Sequence, residues 1–100
     1  MRSWRLLLSS MAINEVEVDV SYADMFIVLR DGDERPGPND WEATVRTSSR
    51  QHLPPGTYEL RGATPDDLSL SGHAVLRFSD GLHHHFRGDG HLGGVEDAVA

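Results

Sequence analysis

From Leu68 to Phe78 the chain alternates. Leu68, Leu70, Gly72, Ala74, Leu76 and Phe78 fall on one parity, and Ser69, Ser71, His73, Val75 and Arg77 on the other. A period of two marks a strand with one buried face. After Ser79-Asp80-Gly81 the pattern resumes in Leu82–Arg87, so the stretch predicts a long β-hairpin. The turn decides which histidines face where, because a slip of one residue moves every side chain to the other face. A two-residue Asp80-Gly81 turn would set Phe78 against His83 and bring Arg87 onto the apolar side. A three-residue Ser79-Asp80-Gly81 loop sets Phe78 against Leu82, Leu76 against His84 and Ala74 against Phe86. The apolar pattern selects the second. The inner face is then Ala74, Leu76, Phe78, Leu82, His84 and Phe86, and the outer face His73, Val75, Arg77, His83, His85 and Arg87.

Shorter signals fill in the remainder. Ile13–Ser21 alternates Val16, Val18 and Val20 with Glu15, Glu17 and Asp19, predicting a half-buried strand whose acidic face protects an edge. Tyr22-Ala23-Asp24 reads as a turn and Met25–Arg30 as an interior strand. Asp31–Asp40, with two prolines and two glycines, is a connector. Trp41–Thr47 and Gly56–Arg61 are strands, separated by the polar loop Ser48–Pro55, and Gly62–Asp67 turns into the hairpin. Residues 1–11 are expected to be an unstructured leader, 12–93 one β domain, and 94–100 a flexible tail after a glycine-rich exit. The fold class expected is all-β: a small antiparallel meander of about six strands, closed or partly closed into a barrel, with a sandwich as the alternative. Gly72, midway along its strand, is the expected place for a bulge or bend.

Composition narrows the chemistry. Cysteine is absent, which removes disulfides, thiol nucleophiles and cysteine-zinc sites. All nine basic residues are arginines, and sixteen carboxylates give a net charge of −7. That balance opposes general binding to nucleic acid or an anionic membrane, although the outer face of the hairpin is locally basic. No stretch is long enough to span a membrane. The opening MRSWRLLLSSMA has the arginines and leucines of a signal peptide but too short an apolar run, so Met11 is a candidate initiator and cytoplasmic residence the expectation.

Histidines carry the most specific chemical signal. In a strand, His83 and His85 share a face at about 7 Å, a spacing that lets two imidazoles grip one zinc or other divalent ion. His73, on the same face of the adjacent strand, would be the third ligand, with His91 and Asp89 as substitutes. Arg77 and Arg87 flank that site and count against it. His84 is expected on the apolar side, as a core histidine or as a polar group in a small-molecule pocket.

Other motifs fail on context. Asp31, Asp33, Asn39 and Glu42 fall at positions 1, 3, 9 and 12 of a calcium loop, but Arg35 and Pro36 occupy the ligand and glycine positions between them. Gly88–Gly93 matches a dinucleotide fingerprint without room for its helix and second strand. Arg87-Gly88-Asp89 is a chance tripeptide, and no serine sits in a nucleophile elbow. A basic strip of Arg77, Arg87 and histidines could hold nucleic acid, but with Phe78 and Phe86 inward it lacks stacking aromatics, so the sequence argues against that partner. What remains is a non-enzymatic binding or protein-interaction module. Trp41, Arg46, Arg50, His52, Arg77 and Arg87 are its candidate contacts, with a protein partner or a homodimer formed through the first strand's edge.

Overall fold

The fold was analysed in a computed structural model, which describes residues 1–95. Eight strands form one antiparallel sheet: β1 (Arg2–Leu7), β2 (Ser10–Ile13), β3 (Val16–Val18), β4 (Val20–Leu29), β5 (Trp41–Thr47), β6 (Thr57–Ala63), β7 (Ser69–Ser79) and β8 (His83–Gly88). The strand order is β1-β4-β5-β8-β7-β6-β2-β3. β1 and β2 are consecutive in the chain yet lie near opposite ends of that order. Leu8 and Ser9 join them, Leu8 N donating to Ala23 O at 2.9 Å and Ser9 N to Ala63 O at 2.7 Å. The sheet therefore curls on itself as a partly closed barrel, with β1 and β3 as its two open edges.

Three features depart from the sequence expectation near the start. Residues 1–11 are not unstructured: β1 and the beginning of β2 lie among them, and Leu8 and Met11 are buried. Ile13–Ser21 is not one strand either. Asn14 and Glu15 have φ of 50° and 67°, and Ile13 pairs with Val16, so two left-handed residues make a tight hairpin turn. Asn14 is held there by its own side chain, whose Oδ1 accepts from Glu59 N at 2.9 Å. Val16 is left mostly exposed on the edge. Tyr22-Ala23-Asp24, expected as a turn, continues β4, because Ala23 enters the core and Asp24 finds a cation across the strand. At the other end Val95 is buried, so the fold runs past the expected boundary at 93; positions 96–100 of the expected tail lie outside the described residues.

The order departs from the expected meander at three connections, β1 to β2, β3 to β4 and β5 to β6. β5 pairs with β8 rather than β6, so residues 48–56 cross from one side of the barrel to the other. Inside, Met25, Ile27, Ala43, Val45, Leu60, Leu70, Ala74 and Phe86 converge around Trp41, which is 1% exposed. The indole lies where β7 and β8 carry glycine. A Cβ at Gly88 would stand 2.4 Å from Trp41 Nε1, and one at Gly72 would stand 2.9 Å from Cζ2. Gly72 thus makes room for an aromatic ring and pairs with Leu60 in unbroken register; the bulge lies further along. Trp41 Nε1 donates to Gly90 O at 3.0 Å, and Leu92 and Val95 cap the core beyond it.

Gly88→Ala should therefore destabilise the protein by about 1–3 kcal/mol, the range for overpacking a filled core. Gly62→Ala meets only the flexible end of Leu8 and should cost less. Thermal unfolding of the two variants checks this ranking; equal losses would refute it.

Candidate functional site

The hairpin of β7 and β8 places most of the residues singled out by sequence, but in a different register. Asp80 closes the turn: its Oδ1 accepts from Leu82 N at 3.0 Å and His83 N at 2.7 Å, and its backbone N donates to His83 O at 3.1 Å. Those two backbone donors hold the Asp80 carboxyl down at about 2. Gly81, at φ 96°, and Leu82 are the central residues. Ser79 then faces His84 and Phe78 faces His85, whereas further along Leu76 faces Phe86 and Ala74 faces Gly88. The two registers differ by one residue, and the extra one is Arg77, left in a β-bulge. The expected pairings Phe78–Leu82, Leu76–His84 and Ala74–Phe86 are all replaced. Phe78, expected in the core, points outward and is 55% exposed.

His84 does face inward and is 1% exposed. Its Nδ1 lies 2.8 Å from Ser79 Oγ and its Nε2 3.3 Å from Thr47 Oγ1, so both ring nitrogens are matched by hydroxyls. Burial pushes its pKa down. It is not part of the lining of the cavity beside the turn, and both nitrogens are already engaged. The neighbouring cavity of ≈ 430 Å³ is lined instead by Arg50, His52, Leu53, Ser79 and Asp80 among others. Arg50 Nη1 there donates to Asp80 O at 3.2 Å.

The three expected metal ligands are not brought together. His83 Nδ1 lies 3.1 Å from Asp80 Oδ2, His85 Nε2 3.2 Å from Glu42 Oε2, and His73 Nε2 3.8 Å from Glu59 Oε2. Each ring turns to a different carboxylate. With Phe78 rather than Val75 opposite His85, His73 sits five residues along its strand, roughly 15 Å away. Among the described residues no three His, Asp or Glu side chains converge to hold a metal ion.

The outer face of β1, β4, β5, β8 and β7 is where charge and aromatic surface meet. Cross-strand rows run Tyr22–Arg46–His83, then Leu7–Asp24–Thr44–His85–Phe78, then Arg5–Phe26–Glu42–Arg87–Val75. Asp24, 1% exposed, binds Arg5 Nη1 at 2.8 Å and the Tyr22 hydroxyl. That hydrogen bond holds the Tyr22 phenol above its ordinary pKa and ties the ring in place, 41% exposed. Arg5 stacks over Phe26 at 5.1 Å. Every carboxylate in these rows is engaged: Asp24 by Arg5 and Tyr22, Glu42 by His85. Arg46, Arg77 and Arg87 are exposed, and among the described residues none forms an ion pair. Arg77 and Arg87 line one cavity of ≈ 250 Å³ with Asn39, Val75, Gly88 and Asp89.

Of the contacts expected from sequence, Arg46, Arg77 and Arg87 thus share one face, Arg50 and His52 lie beside the turn, and Trp41 is core. Tyr22 and outward Phe78 went unread. Tyr22 lay in an apparent turn, and only the bulge turns Phe78 out; no local pattern announces a bulge.

His84 provides a pH test of this site. Its folded pKa lies below the ordinary 6.5, so the unfolded chain takes up the proton first. Its contribution to stability is complete above that value and is lost as pH falls through it. Between about pH 7.5 and about pH 5 the wild-type melting temperature should fall more steeply than that of His84→Gln. His84→Leu should cost about 1–3 kcal/mol by removing the ring's bonds to the Ser79 and Thr47 hydroxyls. Parallel pH profiles for wild type and His84→Gln would contradict the assignment.

No helix among the described residues is long and apolar enough to cross a membrane. No family model, no curated protein and no solved structure matches this chain, so its function has to be read from the geometry.

Proposed function

We propose that the protein is a non-catalytic binding module, acting in the cytoplasm, whose contact surface is the outer face of β4, β5, β8 and β7 and whose partner is anionic there. One observation carries the reading: Arg46, Arg77 and Arg87 have no ion-pair partner among the described residues, while the carboxylates of the same rows are all engaged. In a chain of net charge −7 with acids to spare, intramolecular pairing would have been easy to arrange. Arginine beside exposed aromatic rings is also the composition of contact centres. The buried His84, bonded on both sides, and the dispersed outer histidines supply no reacting constellation.

Retention on heparin, a polyanionic resin, tests this. The wild type should be held at low ionic strength in spite of its net charge and released by salt. The triple variant R46Q/R77Q/R87Q should pass through, whereas Arg61→Gln, altered outside these rows, should still be retained. Passage of the wild type would reject the proposal.

A second reading, self-association, is favoured by the two open sheet edges, β1 and β3, each with an exposed apolar side chain, Leu7 and Val16. If it holds, sedimentation velocity should show a dimer whose fraction rises with concentration, and Val16→Lys should shift it toward monomer. A monomer at every concentration would exclude it.

A further inference from the structure

We infer that the anionic partner of this face is single-stranded nucleic acid, its bases stacking on Phe78 and Tyr22 and its phosphates held by Arg46, Arg77 and Arg87. The inference rests on the anionic-partner reading above and adds the occupant. Sequence argues against it on two grounds, the net charge of −7 and the absence of stacking aromatics on this face. The first is a sum over the whole chain and not over this face, and the bulge at Arg77 removes the second by turning Phe78 out.

The geometry suits a flexible strand. Phe78 lies on β7 and Tyr22 on β4, three strand intervals apart, or about 14 Å around the sheet. Between them stand Arg46 and His83 in one row and Thr44 and His85 in the next, so the Arg46 guanidinium lies between the two rings. Arg77 is adjacent to Phe78, and Arg87 completes the strip in the third row. Tyr22 is held by its bond to Asp24, a fixed platform that loses little freedom when a base lands on it. Four carboxylates near this strip are engaged by protein groups: Asp24 by Arg5 and Tyr22, Glu42 by His85, Asp80 by backbone N–H groups and His83, and Asp40, whose charge also reaches Arg87, by Arg30. Asp89, in the cavity with Arg77 and Arg87, bounds the strip at one end.

Flat aromatic faces separate this partner from an acidic protein. Bases stack on rings irrespective of sequence, and arginine tracks a phosphate backbone without reading it. An acidic peptide would use the arginines and gain little from an exposed ring as such. A duplex hides its base faces and could not use Phe78 and Tyr22 together.

Fluorescence anisotropy with the full chain decides the matter. The probes are labelled mixed-sequence single strands of about 12 nucleotides, as DNA and as RNA, within the site sizes of small barrel binders. A duplex of the same length and poly-L-glutamate serve as rivals. Single strands should bind more tightly than the duplex. Phe78→Ala should weaken binding by about 5- to 150-fold, the worth of one stacked base. Phe78→Trp should restore it and Phe78→Leu should not. Each of Arg46→Gln, Arg77→Gln and Arg87→Gln should reduce the slope of log affinity against log salt by about 0.7. Circular dichroism confirms that each exposed-residue variant is folded. Equal or tighter binding of the duplex, or of poly-L-glutamate without sensitivity to Phe78, would overturn the inference while leaving the anionic-partner reading in place. Failure of both these probes and heparin would overturn both.

Discussion

The packing of Trp41 against bare backbone is the constraint from which the rest of the barrel follows. A buried indole needs both volume and a partner for its N–H. Volume comes from Gly72 and Gly88, whose missing side chains let β7 and β8 approach the ring, and Gly90 O accepts the proton. Because the ring sits over both glycines, β8 is anchored on β7 with Ala74 opposite Gly88. Met25, Ile27, Val45 and Phe86 then close around the same ring.

A second anchor acts at the other end of the hairpin. The Asp80 carboxylate gathers two backbone N–H groups and so fixes a tight turn around Gly81 and Leu82. Each anchor is favourable by itself, and together they disagree by one residue. Moving either would cost more than one unpaired ladder position: the first would drive a Cβ into Trp41, the second would strand the carboxylate's donors. The chain resolves the conflict at Arg77, whose long polar side chain is at ease in water. The consequence is chemical as well as geometric. Ser79, rather than Phe78, meets His84, so the buried imidazole has a hydroxyl for its Nδ1. Phe78 is expelled to the outer face beside unpaired arginines.

Charge is divided along the same lines. Many of the acids occupy connectors and the β2–β3 hairpin: Glu15, Glu17, Asp19, Asp31, Asp33, Glu34, Asp40, Asp66 and Asp67. Asp40 is itself spent on Arg30, through bonds of 3.0 and 2.9 Å that hold its carboxyl below the usual range. The outer face of β5, β8 and β7 keeps Arg46, Arg77 and Arg87, which form no ion pair among the described residues. A net charge summed over the chain therefore says little about any one surface, since exposed charges separated by more than a Debye length scarcely sense each other.

Much of the fold was written in local pattern. The alternation of Trp41, Ala43 and Val45 set β5 and its buried face, because a period of two has only one way to hide its apolar half. The same logic set the inward turn of His84 and Phe86, the outward turn of His83 and His85, and the all-β class. The sequence by itself also placed Arg46, Arg77 and Arg87 on strands and excluded thiol chemistry. Tertiary structure decided what local pattern cannot encode. It made a strand of Arg2–Leu7, whose pairing with β4 depends on partners distant in the chain, from Leu7 with Asp24 to Arg2 with Leu29. It put β5 beside β8, since a loop's sequence does not state which edge it will cross to. It separated His73 from His83 and His85 and turned Phe78 outward, because register is the outcome of two distant anchors competing for one ladder, and neither anchor is visible from the residues between them.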